Sequence, residues 1–325
     1  MPDPVLSIVV PTHQRRDQVL RLLQALGEQS MDPAAFEVVV VADGCSDGTA
    51  RAVRETRLPY AVRVIEQRQQ GQGAARNHGV AESSGSQLIF FDDDVVPDAQ
   101  FLRSLSRSFA EGADVVLPFV RVAPWVPESL LAREQREWDA EVVAAMAQDR
   151  PTMDHIHFIA TGMTRACFEA VGGFDGSFTA EGAWGKEDTE LGYRLLRGGY
   201  RICCRPELVV DSDCVVDPVV ALRRARSLGA NDVRFARKHP DVAMALIRDG
   251  LCRRRIPRTV GALVLRRPQA VRWLAPLRQA VIAAINRGWT GAVLYRLWIG
   301  VWTAEWWLGL VEAGGKDLGL QGLRR

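Results

Sequence analysis

Residues 87–97 read QLIFFDDDVVP. The stretch Leu88 to Phe91 is apolar and rich in branched and aromatic side chains, the composition of a buried strand. It runs straight into three consecutive carboxylates, Asp92, Asp93 and Asp94. Like charges this close repel one another, so gathering them costs energy unless a cation or hydrogen-bond donors compensate. Magnesium and manganese are hard cations that take oxygen ligands, often one or two carboxylates together with phosphate oxygens. Alternation along an extended strand end is expected to put Asp92 and Asp94 on one side. One would then meet a ribose hydroxyl or bound water and the other the metal. The competing reading is a solvated acidic turn, or a helix N-cap before Pro97.

Working upstream, the same order of apolar run and turn repeats. Residues 5–10, 36–41 and 61–66 read as short β-branched strands, and residues 16–29 and 48–57 as helices. GQGAARNHGVAES is a glycine-rich turn followed by a helix. Strands alternating with helices are most economically folded as an α/β, doubly wound, mostly parallel sheet flanked by helices. Such sheets bind ligands at the carboxyl ends of their strands. The loops starting at Pro11, Ala42, Gln67 and Asp92 all begin at such ends, and this convergence is the main structural expectation.

Downstream, residues 98–110 read as a helix, 114–120 as a strand, and HFIATGMTRACFEAVGGFD as strand, turn and short helix. EDTELGYRLLRGGYRI gives a helix stopped at Gly198-Gly199, then another strand. His155 and His157 read as strand residues. Beyond Pro218 the pattern turns helical and arginine-rich. The expected division is 1–110 for a nucleotide-sugar-binding half, 111–218 for an acceptor and catalytic-base half of the same domain, and 219–325 for a helical C-terminal region.

Composition narrows the class. The chain has 325 residues, 47% apolar and 25% charged, a globular balance that excludes disordered and collagenous classes. Its six cysteines form no Cys-x-x-Cys pair, which argues against a zinc site or disulfide framework and for a reducing, cytoplasmic compartment. Met1 to Pro4 carries no basic residue and the run from Val5 stops at Pro11, so no secretion signal is expected. Charge is uneven. Residues 221–325 hold 20 Lys+Arg against 6 Asp+Glu, whereas residues 1–220 hold 21 against 33. The acidic part suits metal and carboxylate chemistry, and the basic part suits an anionic partner.

Six pieces in order carry a resemblance: SIVVPTHQR, VVVADGCSDGT, GQGAARNHG, FFDDDVVP, GGFD and EDTELGYRLLRGGY, over roughly residues 5–202. The sequence resembles family 2 glycosyltransferases, which have the GT-A fold. The resemblance implies an inverting, metal-assisted transfer from a nucleotide diphosphate sugar, most often UDP-linked. It implies Pro11, Thr12 and Asp43 at the base, Arg76 near the nucleotide, and Asp92 and Asp94 at ribose and metal, with Asp93 between them in the donor site. The family often has two aspartates in the second loop, and here Ala42 replaces the first. Relatives also place a histidine on the strand after the Glu-Asp helix. The matching stretch here, VVDSDC at 209–214, has none, leaving Asp211, Asp213 or water as the third ligand to Mn2+ or Mg2+. Gly162 is expected to line the donor sugar pocket. Trp184, set among glycines, suits a mobile lid there on the acceptor side.

Sugar transfer needs a base for the acceptor hydroxyl and neutralisation of the diphosphate leaving group. Glu187-Asp188 opens a helix, where the dipole favours an ionised carboxylate. The family pattern assigns the base to Asp188, with Glu187 orienting the acceptor or supporting the loop. A plain acidic first turn is the structural alternative. GQGAAR lacks the third glycine of the dinucleotide fingerprint.

The resemblance stops near residue 220. Trp298, Trp302 and Trp306 are four apart and share a helix face. Arg296 and Glu305 make a spanning helix costly. The two readings are an interfacial helix at an anionic membrane surface, using residues 220–310, and a helix packed within the protein. No motif supports nucleic acid. The expected partners are therefore a nucleotide-sugar donor and a glycan, lipid-linked or other hydroxyl acceptor. A sugar-phosphate nucleotidyltransferase would carry a glycine-rich basic loop after the first strand, and PTHQRRDQ has no glycine. A degenerate donor-fold protein acting through its basic region would have lost the acidic triplet or the Glu-Asp pair, and both are present.

Overall fold

The computed structural model describes residues 5–148, 151–213, 216–242 and 273–314. The chain divides into two compact units. The first comprises Met1–Val126, Gln135–Gly182 and Glu187–Cys214; the second comprises Pro127–Glu134, Ala183–Lys186 and Val215–Arg325.

The first unit holds one eight-stranded sheet. Its strands are β1 (Leu6–Thr12), β2 (Phe36–Asp43), β3 (Ala61–Gln67), β4 (Gln87–Phe90), β5 (Val95–Pro97), β6 (Val115–Val122), β7 (Gly162–Thr164) and β8 (Ile202–Ser212). The spatial order is β3-β2-β1-β4-β7-β6-β8-β5. The first four positions are parallel, β7 is antiparallel to both neighbours, β8 returns parallel to β6, and β5 closes the edge antiparallel to β8. The sheet is thus mixed and mostly parallel, flanked by α1 (Arg16–Gly27), α2 (Thr49–Glu55), α3 (Gln72–Ala81), α4 (Phe101–Ala110), α6 (Arg165–Val171) and α7 (Glu187–Gly198). Helix α5 (Leu130–Met146) lies in the long β6–β7 connection.

Continuous apolar strands are what a sheet buried on both faces requires. Leu6, Ile8 and Val10 of β1, with Ile89 and Phe91, pack with Leu22, Leu23, Phe101 and Leu105 of α1 and α4. Val9, Leu88 and Phe90 point the other way, into Phe158, Phe168, Phe174, Leu191 and Leu195. Phe90 sits 5.2–5.6 Å from the rings of Phe158, Phe168 and Phe174. Each such buried ring contributes about 1.5–3 kcal/mol, so the strand ending in the acidic triplet is firmly anchored. His155 closes a short 3-10 turn, Met153–His155, rather than lying on a strand; its backbone pairs locally with Thr152, leaving nothing to extend the sheet.

The second unit is helical, with α8 (Pro218–Lys238), α9 (Ala275–Asn286) and α10 (Ala292–Glu312). Helix α10 is buried against α8 so closely that a Cβ on Gly229 would lie 2.0 Å from the Trp306 carbonyl, and one on Gly309 1.9 Å from that of Arg226. The interfacial reading of Trp298, Trp302 and Trp306 is overturned, since all three are buried in this unit's own core. Trp298 Nε1 donates to Glu134 at 2.9 Å and Trp306 Nε1 to Asp232 at 2.7 Å. Their indole N–H groups find carboxylate partners and their rings find apolar ones, which a helix lying on a surface would forgo. Glu305 is buried too, 3.0 Å from Arg278. Among the described residues no helix is long and apolar enough to cross a membrane.

Candidate functional site

The ends of β1, β2 and β4 and the start of α7 meet within the first unit. At the end of β2, Asp43 is 5% exposed and accepts three bonds from the loop after β3. These come from Gln67 Nε2 and the N–H groups of Gln70 and Gly71, each at 2.8 Å. The carboxylate therefore shapes the 67–71 loop into the turn that starts α3. Gly71 is required there, because its φ is +91° and a Cβ would fall 2.0 Å from the Thr179 carbonyl. Pro11 is buried in β1 opposite Val41. Thr12 Oγ1 donates to Asp93 Oδ2 at 2.7 Å.

The acidic triplet departs from strand alternation. Strand β4 ends at Phe90 and Asp93-Asp94 form a turn, so Asp92 and Asp94 do not act as a pair on one side. Asp92 Oδ1 instead faces α3, accepting from Gln72 Nε2 at 2.6 Å and Arg76 Nη2 at 2.8 Å. Asp93 and Asp94 turn the other way and share Arg15, whose Nη1 lies 3.0 Å from Asp93 Oδ1 and 2.6 Å from Asp94 Oδ2. The tight turn after the strand, not its pleat, sets these directions.

Arg76 is 1% exposed and ties the site together. Besides Asp92 it reaches Asp188 Oδ1 at 3.0 Å, Glu187 at 3.5 Å and the Phe158 carbonyl at 3.1 Å, and it lies 5.1 Å from the centre of the Phe174 ring. Asp188 Oδ2 accepts from the Phe158 N–H at 3.0 Å. Burial works against its charge, but Asp188, Asp92 and Glu187 together hold the Arg76 guanidinium above its ordinary pKa.

Five carboxylates (Asp92, Asp93, Asp94, Glu187 and Asp188) thus surround two arginines, Arg15 and Arg76. The deficit of positive charge is felt by the acids. Burial, reinforced by Asp188, pushes Glu187 up to about 8, against the pull of Arg76. Burial, reinforced by Asp94, Asp188 and Asp93 and opposed by Arg76, pushes Asp92 up to about 7, although 23% of its side chain stays open to solvent. Burial and Asp94 push Asp93 up to about 6, against Arg15. Glu187 Oε2 is buried without a hydrogen-bond partner. Acids raised together by burial and by one another favour a further cation beside them.

The other expected residues make different contacts. Gly162 is a core glycine of β7, where a Cβ would lie 2.8 Å from Leu105 and 2.9 Å from Phe109, so it lets α4 pack against the sheet. Trp184 belongs to the second unit, where it lies 4.5 Å under the Arg224 guanidinium, its N–H on Ser227 Oγ and its carbonyl on Asn231. Asp211 is paired with Arg121 and Asp213 with Arg21, while the Asp213 N–H meets the Asp94 carbonyl. Arg15 and Gln72 were not singled out from sequence. For Gln72 a signal existed: it stands four residues before Arg76 on α3, so both reach the same carboxylate.

Comparison with known proteins adds to this geometry. The profile described as Glycosyl transferase family 2 matches residues 7–172, just over half of the chain. That of the N-terminal domain of galactosyltransferase matches residues 159–211. The chain is 31% identical over 268 residues to the validoxylamine A glucosyltransferase of Streptomyces hygroscopicus subsp. limoneus, covering 74% of this chain and 58% of that protein. It is 29% identical over 208 residues to the glycosyltransferase AglE of Haloferax volcanii, covering 62% and 67%. Among solved structures it resembles in fold the mannosyltransferase PcManGT of Pyrobaculum calidifontis, in complex with GDP-Man and Mn2+. The TM-score is 0.61 at 21% identity, over 98% of this chain and 88% of that one. The fold of Staphylococcus aureus TarS 1–349 in complex with UDP matches with TM-score 0.50 at 19% identity, over 70% and 65%.

Proposed function

This chain belongs to glycosyl transferase family 2, and on that premise we propose that it moves a sugar from a nucleotide diphosphate sugar to a hydroxyl acceptor, with inversion and with a divalent metal. The observation that carries the reading is the cluster of five carboxylates around two arginines, with Asp43 at the carboxyl end of β2. The relatives spanning it are named glycosyltransferases, and fold neighbours bind UDP or GDP-Man. UDP- and GDP-sugars are accordingly the donor classes proposed, and glycan or lipid-linked hydroxyls the acceptors.

The residues present fit Mn2+ or Mg2+. The donor set is hard oxygen, and the raised carboxyl groups and the unpartnered Glu187 oxygen signal missing positive charge. Among the described residues no three His, Cys, Asp or Glu side chains are grouped to hold an ion by themselves. Hard divalent ions are commonly held by one or two carboxylates, with phosphate oxygens and water completing the shell. Asp94 would hold it, with Asp93 beside it. When bound, the ion supplies neutralisation of the diphosphate leaving group.

The chain's own residues do the rest. Asp43 and Gly71 shape the loop proposed to receive the nucleoside, and Asp92, oriented by Gln72 and Arg76, faces its ribose. Asp188 takes the acceptor proton as the acceptor oxygen bonds to the anomeric carbon and the bond to the diphosphate breaks. The Phe158 N–H and Arg76 fix its direction. Glu187, beside it and more deeply buried, lies 3.5 Å from Arg76 and supports the loop. The test is nucleotide release from a panel of UDP- and GDP-sugars with and without Mn2+. Metal-dependent release from one donor, lost in Asp94→Asn, supports the reading; no turnover and no nucleotide binding would sink it.

A second partner is proposed for the helical unit. Trp273, Leu277, Trp289, Val293 and Leu297 are 77%, 37%, 63%, 73% and 39% exposed. They lie in a stretch, 273–304, with Arg278, Arg287 and Arg296 and no Asp or Glu. Exposed indoles among arginines suit an anionic lipid surface. Cosedimentation with vesicles containing phosphatidylglycerol, absent with phosphatidylcholine alone and weakened by Trp289→Ser with Val293→Ser, is the expected result. Equal recovery with both vesicle types would remove this reading.

A further inference from the structure

Arg15 stands between β1 and α1, and its Nη1 is shared by two carboxylates 78 and 79 positions away in the chain, Asp93 and Asp94. Those carboxylates are nearly enclosed, with 6% and 8% of their side chains exposed, while Arg15 keeps 34% of its own in solvent. A partly exposed cation therefore caps two nearly enclosed anions. It contacts Asp94, the carboxylate proposed to hold the divalent ion. A divalent ion held by Asp94 and a guanidinium 2.6 Å from Asp94 Oδ2 repel each other at this distance, so the ion would weaken the Arg15 contact. A guanidinium displaced from Asp94 keeps its planar fork of donors, which matches phosphate oxygens well. An anionic diphosphate arriving with the metal is the partner at hand.

We propose that Arg15 is the resident counter-ion of the metal position: it holds Asp93 and Asp94 while the site is unliganded, yields Asp94 to the divalent ion, and then pairs with the donor diphosphate. The inference rests on the glycosyltransferase reading. Its consequence is coupling. Metal alone must displace Arg15 and binds weakly; metal with nucleotide gives the guanidinium a new partner, so each strengthens the other reciprocally.

The test is Mn2+ binding followed by the electron paramagnetic resonance signal of free Mn2+, with and without UDP or GDP, on the full chain. Arg15→Gln is expected to bind Mn2+ alone about tenfold more tightly than the parent, and nucleotide is expected to strengthen Mn2+ binding about tenfold in the parent but far less in the variant. Arg15→Lys keeps the charge and is expected to resemble the parent for Mn2+ alone. Circular dichroism melting confirms that each variant is folded. Unchanged or weaker Mn2+ binding by folded Arg15→Gln, or full nucleotide coupling without Arg15, overturns the inference while leaving the transferase reading intact. Retained Mn2+ binding in Asp94→Asn also overturns it, since the ion would be held elsewhere. If the parent neither binds Mn2+ with nucleotide nor releases nucleotide from any donor, the transferase reading fails and this inference with it.

Discussion

Arg76 Nη1 lies 3.0 Å from Asp188 Oδ1, joining the start of α7 to a helix 112 positions earlier in the chain. The same guanidinium holds Asp92, so one buried cation links the carboxylate proposed for the ribose to the one proposed as base. Removing one partner of a buried ion pair typically costs about 3–5 kcal/mol, because the other charges are left uncompensated. Arg76→Met is expected to lower the melting temperature clearly at pH 8 and less at pH 5, where the freed acids protonate. Equal losses at both pH values would show that packing against Phe174, not charge, dominates.

Asp188 and Glu187 are adjacent but differently placed. Asp188 has both oxygens accepting, from Arg76 and the Phe158 N–H, whereas Glu187 Oε2 has no partner. A positioned general base contributes about 10²–10⁴ in rate. Asp188→Asn is expected to lose kcat in that range with donor KM nearly unchanged. Glu187→Gln should lose less and should remain folded, since it removes a charge the site protonates near neutral pH. Steady-state kinetics separates them; the reverse ranking would transfer the base role to Glu187.

The raised carboxyl groups also set a pH dependence. Asp92, Asp93 and Glu187 are held up to about 7, 6 and 8, so between the unfolded carboxyl range near 4 and about pH 8 the folded state binds more protons than the unfolded one. Stability then falls as pH rises through that window. Metal-free protein is expected to melt lower at pH 8 than at pH 5.5. Mn2+ with UDP or GDP should flatten the decline by supplying the missing charge. A melting temperature that rises with pH in metal-free buffer would contradict the electrostatic account.

Asp43 and Gly71 act on the same loop from opposite sides. Asp43→Ala removes the charged acceptor of the Gln70 and Gly71 N–H groups, at about 1.5–3 kcal/mol for each bond lost. Gly71→Ala forces a Cβ into the Thr179 carbonyl at a φ of +91°, adding about 1–3 kcal/mol of strain. Both are expected to weaken nucleotide binding in calorimetry, with Asp43→Asn intermediate because its amide oxygen still accepts. Full binding by Gly71→Ala would place the nucleotide away from this loop.

Much of the first unit was legible in advance. The strands at 5–10, 36–41, 61–66 and 87–91, the helix stop at Gly198-Gly199, and the carboxylates at strand ends all follow from local apolar runs and turn residues. A parallel sheet buried on both faces writes itself as unbroken β-branched stretches, and its strand ends mark where ligands gather. The short strand β5 and the antiparallel β7 were less legible, because three residues paired through distant partners leave no local pattern.

What the sequence by itself determined was the inventory: an α/β sheet, acids at its carboxyl edge, and a basic, tryptophan-rich region beyond residue 220. Only the tertiary structure decided which charges meet. The turn at Asp93-Asp94 sent one aspartate to Arg76 and two to Arg15, against the expectation from alternation. Gly162 went to the core because Leu105 and Phe109 lie against its Cα. Trp298, Trp302 and Trp306 went inside because α8 lets α10 approach closely at Gly229, and Asp232 of α8 and Glu134 of α5 accept from two of their indoles. Periodicity fixes which way a side chain leaves its own element; what it meets there depends on segments far away in the chain, brought near only by the packing of the whole unit.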